Sequence, residues 1–229
     1  MTAVDSHVQV PSVAEVAAAI KAFDADWGAV DELLYRACRD HPDHSDRRSI
    51  MAKLALIGRT YSAGVERLFT PGDGRQAIGL IGDCLEHHGA EVDAIITGLA
   101  DLSEPLSEGA MEAIVGQHGR LTTLLARHAT RKASPRSFVS KYLHFHNPVV
   151  PLYDSYVVAR LGRLVHGDGA NRPFECPSEA DVEYDRFCVR FFRLYEACRA
   201  AGLSVTVKTL DNYLWQVPVG PAQPTREAT

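Results

Sequence analysis

Two side chains thirteen residues apart, Lys141 and Asp154, are the ones through which this chain could do covalent or acid–base chemistry. Lys141 lies in a run, Ser137 to His146, whose spacing predicts a helix with Phe138, Tyr142 and Phe145 on one face. The lysine falls at the margin of that face. An amine beside aromatic rings is partly desolvated, and desolvation lowers its pKa toward nucleophilic use. The same position also suits a surface lysine that lays its stem on apolar side chains and keeps its charge in water. Asp154 precedes a second helical run and is a natural N-cap, its carboxylate accepting amide hydrogens. A carboxylate held at a helix start and facing a bound anion can also steady a developing cation or activate a water.

The charge around these two residues is segregated. From Ala113 to Gly167 there are eight basic residues, Arg120, Arg127, Arg131, Lys132, Arg136, Lys141, Arg160 and Arg163, and one acid, Asp154. That segment carries +7 in a chain of net charge −5, so the remainder carries −12. Five of the ten histidines, His118, His128, His144, His146 and His166, fall in the same segment. Such a distribution points to an anionic partner bound on one face, or to a solvated basic helix face.

The most informative stretch is RKASPRSFVSKYLHFHNPVVPLYDSYVVAR, Arg131 to Arg160. It reads as a basic turn, a helix, a proline-bounded connection and a second helix capped by Asp154. Its Ser137–Val157 portion resembles the helix-hairpin-helix DNA glycosylase superfamily, in particular the 8-oxoguanine DNA glycosylase-like branch. There a lysine-bearing helix is followed by a short connection and an aspartate at the start of the next helix. Pro151-Leu152-Tyr153-Asp154 is similar to the segment that delivers this aspartate.

The resemblance implies a DNA N-glycosylase acting on a base flipped out of a duplex, without a cofactor. Asp154 then stabilises the cationic sugar, and Lys141 attacks C1′ to form an imine and cut the strand. Arg131, Lys132, Arg136, Ser137, Ser155 and Arg160 become DNA contacts. Tyr142, His144, Phe145, Tyr153 and Trp215 become the base pocket. Two features depart from the family pattern. The hairpin's Gly-x-Gly turn is replaced by Lys132-Ala133-Ser134-Pro135-Arg136, and Arg136 stands near the family's lysine position. An arginine forms no Schiff base at working pH. The amine is then Lys141 or Lys132, or there is no lyase step and Asp154 works with water alone. The same charges also fit a non-catalytic helical DNA-binding module, or a helical scaffold or regulator that binds an acidic protein.

Other chemistries find less support. Residues two apart diverge on a helix, so His144 and His146 do not make a metal site, and none is expected. The five cysteines, Cys38, Cys84, Cys176, Cys188 and Cys198, include no CxxC pair, which argues against a disulfide framework and a structural zinc. Gly72-Asp73-Gly74 and Gly167-Asp168-Gly169 are turns without the Lys-Ser/Thr of a phosphate-binding loop. No GxSxG elbow is present. Asn212 and Gln216 could read a base edge or close a helix.

The elements that must position these residues are helical nearly throughout. Helices are expected over Val13–Phe23 and Gly28–Arg39, with Asp26 capping the second. A long one follows from Ser45 to Phe69, in which Arg59 pairs with Glu66 or reaches a phosphate. Others run over Arg75–His88, Ala90–Leu102, Ser107–His128, Ser137–His146, Ser155–Val165, Glu179–Ala201 and Thr209–Gln216. Ser107 and Ser178 are expected as N-caps. The fold class is all-α, a multi-helix domain over residues 1–217 with a cleft near 131–160 and a disordered tail over 218–229. Its 229 residues suffice for a sizeable core. No apolar run approaches the roughly eighteen residues that span a bilayer. The first residues, MTAVDSHVQV, lack the pattern of a secretory signal, so a cytoplasmic location is expected.

Overall fold

The computed structural model describes residues 8–61, Gly64, Leu68, 74–166 and 172–216. Among them nine helices follow one another: α1 (Val13–Asp40), α2 (Arg47–Thr60), α3 (Gly74–His87), α4 (Gly89–Thr97), α5 (Glu108–Ala126), α6 (Arg136–His146), α7 (Ser155–Leu164), α8 (Val182–Ala200) and α9 (Val207–Gln216). The one extended pairing among the described residues is an isolated antiparallel bridge between Val8 and Val165. The fold is all-α.

The helix starts follow from local hydrogen bonding. Ser12 opens α1 with a reciprocal capping box, its Oγ accepting from the Glu15 amide while the Glu15 carboxylate accepts from the Ser12 amide. Asp46 caps α2, and Ser107 caps α5 as expected. Thr206 and Thr209 satisfy each other's amides at the start of α9, two residues before the expected start. The expected Ser178 cap is replaced by Asp181, whose carboxylate accepts from the Tyr184 amide at 2.9 Å. Just before it, Gly119 of α5 allows the backbone of Glu179 so close that a Cβ would lie 2.0 Å from its carbonyl oxygen.

Three expected boundaries are corrected. The first two helices are one, because Asp26 and Gly28 do not interrupt a face that continues from Val16, Ala19 and Phe23 to Asp31, Leu34 and Cys38. In the other direction, α2 stops at Thr60, and Gly64 has a φ of 66°, a left-handed conformation no helix accommodates. Helix α4 also ends earlier than expected, at Thr97. Glu66, the Gly72-Asp73-Gly74 turn up to Asp73, residues 167–171 and the tail lie outside the described residues.

Buried side chains from α1 to α9 form one contiguous core, and α6 runs through it. Every residue from Phe138 to Phe145 is buried, since α1, α2 and α5 pack around this helix. A helix enclosed in this way must be apolar all round or pair its polar groups internally. Ser140, Lys141 and His144 take the second course, and their pairing creates the polar interior described next.

Candidate active site

Asp154 is the N-cap of α7, as expected, and it does more than cap. Its Oδ1 accepts from the Tyr156 amide at 2.9 Å, while Oδ2 lies 3.1 Å from Nζ of Lys141. One oxygen holds the helix and the other holds the lysine.

Lys141 is not at the margin of a face, because α6 has no solvent face at this position. Its side chain is 1% exposed. Nζ donates to the Tyr61 carbonyl (3.0 Å), Ser137 Oγ (3.0 Å) and Asp154 Oδ2 (3.1 Å), which uses all three ammonium hydrogens. Burial pulls the amine pKa below its usual value, and the Asp154 and Asp211 carboxylates pull it back up. An amine so enclosed orients its partner and has no open path to an electrophile.

Asp154, 16% exposed, opens onto a cavity of about 640 Å³. That lies within the range of about 300–1,000 Å³ typical of small-molecule sites. Six aromatic side chains line it: Phe23 and Trp27 of α1, Tyr61 after α2, Tyr153 and Tyr156 flanking Asp154, and Trp215 of α9. Ser134, Ser137, Ser155 and Gln216 supply polar edges. The rings of Tyr156 and Trp215 are 5.9 Å apart, and Trp27 is 46% exposed. The cavity explains the apparent break in α1. Between Phe23 and Asp31 the helix faces a cavity instead of core, so its sequence there carries acids, a tryptophan and a glycine.

Behind the cavity wall, Tyr61 donates to Asp31 at 2.5 Å, and Lys208 lies 2.6 Å from the other Asp31 oxygen and 4.4 Å from the centre of the Phe23 ring. Asp211 is wholly buried nearby, and burial pushes its carboxyl up to about 7 against the pull of Lys208 and Lys141. A larger cavity of about 740 Å³ shares Tyr153 and is bordered by the Arg172–Asp185 ion pair.

The structure therefore divides the expected site residues. Lys141, Asp154, Ser137, Ser155, Tyr153 and Trp215 come together at the cavity. Tyr142, His144 and Phe145 do not. They belong to the core, a correction that follows from the burial of α6 on every side. Tyr142 donates to His44 Nε2 at 2.7 Å, and His44 donates from Nδ1 to Asp93. His144 donates from Nδ1 to the Val150 carbonyl and accepts from the Tyr35 hydroxyl at 2.6 Å. Phe145 packs against Tyr35 and Tyr61.

The basic residues divide similarly. Arg136 forms a two-bonded ion pair with Asp181 and stacks over Tyr153 at 5.3 Å. Arg160 donates to the Leu214 and Trp215 carbonyls at the end of α9, completing that helix terminus. Arg136 is thus neutralised by an acid, whereas Arg160 keeps its charge while bonding through one nitrogen to neutral carbonyls. Arg131 and Lys132 are exposed, as is Arg127, in the connection that leads to Ala133 and Ser134 on the cavity wall. Phe23, Trp27, Tyr61 and Tyr156 escaped the sequence reading. The available signal was Trp27, a large aromatic set between two acids and a glycine.

These features define an all-helical protein with an ammonium–carboxylate pair at the base of an aromatic cavity. No family model, no curated protein and no solved structure matches the chain. No helix among the described residues is long and apolar enough to cross a membrane.

Proposed function

We propose that the protein is a DNA N-glycosylase in which Asp154 is the reacting carboxylate and Lys141 positions it. The observation that carries this reading is Asp154, gripped through Oδ2 by a buried lysine and lining a cavity walled by aromatic rings. A flat base stacks on such walls, and the polar edges of Ser134, Ser137 and Gln216 can hydrogen-bond to its rim. The exposed Arg127, Arg131 and Lys132 suit the flanking phosphates.

The chemistry follows from the charge. As the C1′–N bond breaks, its electron pair leaves with the base and positive charge grows on the sugar. A fixed carboxylate beside it stabilises that charge without reorganising, because the Lys141 bond and the Tyr156 amide already hold it. Water then adds its oxygen to C1′ and gives up a proton to Asp154. Lys141, with all three hydrogens engaged beneath Asp154, forms no imine, so the product is an intact strand with an abasic site.

The test uses end-labelled duplexes carrying oxidised, deaminated, alkylated or hypermodified bases, with the products split between borohydride and alkali. Alkali-dependent cleavage of at least one duplex, without a borohydride-trapped adduct, is the expected result. An adduct lost in Lys141→Ala overturns the positioning role of Lys141. Salt-sensitive binding with no cleavage of any duplex makes the protein a DNA-binding module instead.

A further inference from the structure

A second cluster of reactive side chains lies apart from the cavity, and none of its members lines it. Cys84 is in the last turn of α3, and His88 follows four residues later at the junction with α4. The His88 amide still donates to the Cys84 carbonyl at 3.0 Å, so both side chains leave the backbone on one side. His128 arrives from the end of α5, its ring meeting that of His88 edge-on with centres 5.3 Å apart. One donor atom from each residue, a thiol sulfur and two imidazole nitrogens, lies within 4.8 Å of the other two.

We propose that Cys84, His88 and His128 bind a zinc ion that fastens the α3–α4 junction to the end of α5. One sulfur and two nitrogens form a borderline-soft donor set that suits zinc and not magnesium or calcium, which take oxygen. Tetrahedral zinc, with bonds of about 2.1–2.3 Å, sets its donors roughly 3.4–3.8 Å apart. The three atoms must close by about 1.4 Å at most to meet that geometry, a movement that the exposed His128 side chain accommodates. Three protein donors leave the fourth position to water. Glu91 places a carboxylate oxygen 3.8 Å from His88 Nδ1, where it can orient the ring.

The metal also connects to the rest of the fold. His128 stands at the root of the connection bearing Arg131 and Lys132, and the amides of Thr130 and Arg131 donate to the Leu68 carbonyl. Zinc on His128 fixes that root. The sequence did not suggest this site because its third ligand is distant in the chain and no CxxC marks it.

The full chain, stripped with chelator and titrated with zinc sulfate in a calorimeter, is expected to bind one equivalent. Cobalt(II) in its place should give the thiolate-to-cobalt charge-transfer band. Cys84→Ser removes that band, and both Cys84→Ser and His128→Ala weaken zinc binding roughly tenfold or more. His87→Ala and Cys176→Ala, an exposed neighbour and an exposed thiol elsewhere, leave both signals unchanged. Circular dichroism of each variant confirms that the helices persist, and His128→Ala at an exposed position tests the site without opening the core. Absence of stoichiometric binding, or binding that survives Cys84→Ser and His128→Ala at full strength, overturns the proposal.

Discussion

Lys53 on α2 and Lys141 on α6 are buried to the same depth, 1% exposed each, and each holds its ammonium just under 6 Å from a tyrosine ring centre. Burial lowers the pKa of both. Their partners differ. Lys53 donates to the His41 and Asp43 carbonyls just after α1, an arrangement that ties off a helix end, and it does not line the aromatic cavity. Lys141 donates to a carboxylate that opens onto it. Depth and the direction of the pKa shift therefore do not tell the two lysines apart. The identity of the acceptor, and what lies beyond that acceptor, does.

The two lysines should separate most widely in turnover. Lys141→Met releases Asp154 Oδ2 from its fixed position, and base release is expected to fall roughly 100-fold or more, with DNA affinity little changed. Lys53→Met should leave release per folded molecule at the wild-type rate. Single-turnover kinetics on both variants would break the comparison if the two losses were alike. In stability Lys53 should still matter. Lys53→Met removes two charge-assisted hydrogen bonds to part-buried carbonyls, and urea unfolding should show a loss of about 1–3 kcal/mol.

The cavity side of the comparison sharpens with Trp27→Ala. Stacking of one base on an aromatic ring contributes about 1–3 kcal/mol, so binding of the cleaved duplex should weaken several-fold or more. Thermal unfolding should move little, because Trp27 is half exposed.

The smallest effect concerns pH. Asp211, faced by Lys208, Lys141, Asp31 and Asp154, has its carboxyl raised to about 7, whereas an unfolded chain holds it near about 3.9. Folding therefore takes up a proton between these values, and this group's contribution to stability falls as pH rises through that window. His144 and His118, held down at about 3 and about 4 by burial, act oppositely and weaken the fold as pH drops below about 6.5. Asp211→Asn removes only the first slope. The stability gained by this substitution should grow between pH 5 and pH 8, read as the shift in urea midpoint against wild type.

Much of the helical pattern was legible in the chain because caps and periodicity are local. The starts of α5 and α7 at Ser107 and Asp154 follow from one side chain and the amides after it. The Lys141–Asp154 spacing was legible for the same reason. The burial of Lys141 was not, since Ser140, Lys141 and His144 give α6 the look of a helix with a wet face. Only the enclosing α1, α2 and α5 remove that face. Pairing across the basic segment was hidden in a similar way. Arg136 is matched by Asp181, forty-five residues on, so one charge of the basic segment is met in space by an acid far along the chain. Trp27 of α1 and Tyr61 just after α2 reach the cavity from eighty or more residues before Lys141, and no local signal links them to it.

Quantifying free base by mass spectrometry, after equal DNA occupancy by wild type and Asp154→Asn, tests the central claim most directly. Asparagine keeps the α7 cap but not the charge. Release of a modified base by wild type, reduced at least roughly 100-fold in Asp154→Asn with binding and melting temperature preserved, is the expected result. Equal release by both proteins, or release by neither from any substrate they bind, would contradict the assignment of Asp154 as the reacting carboxylate.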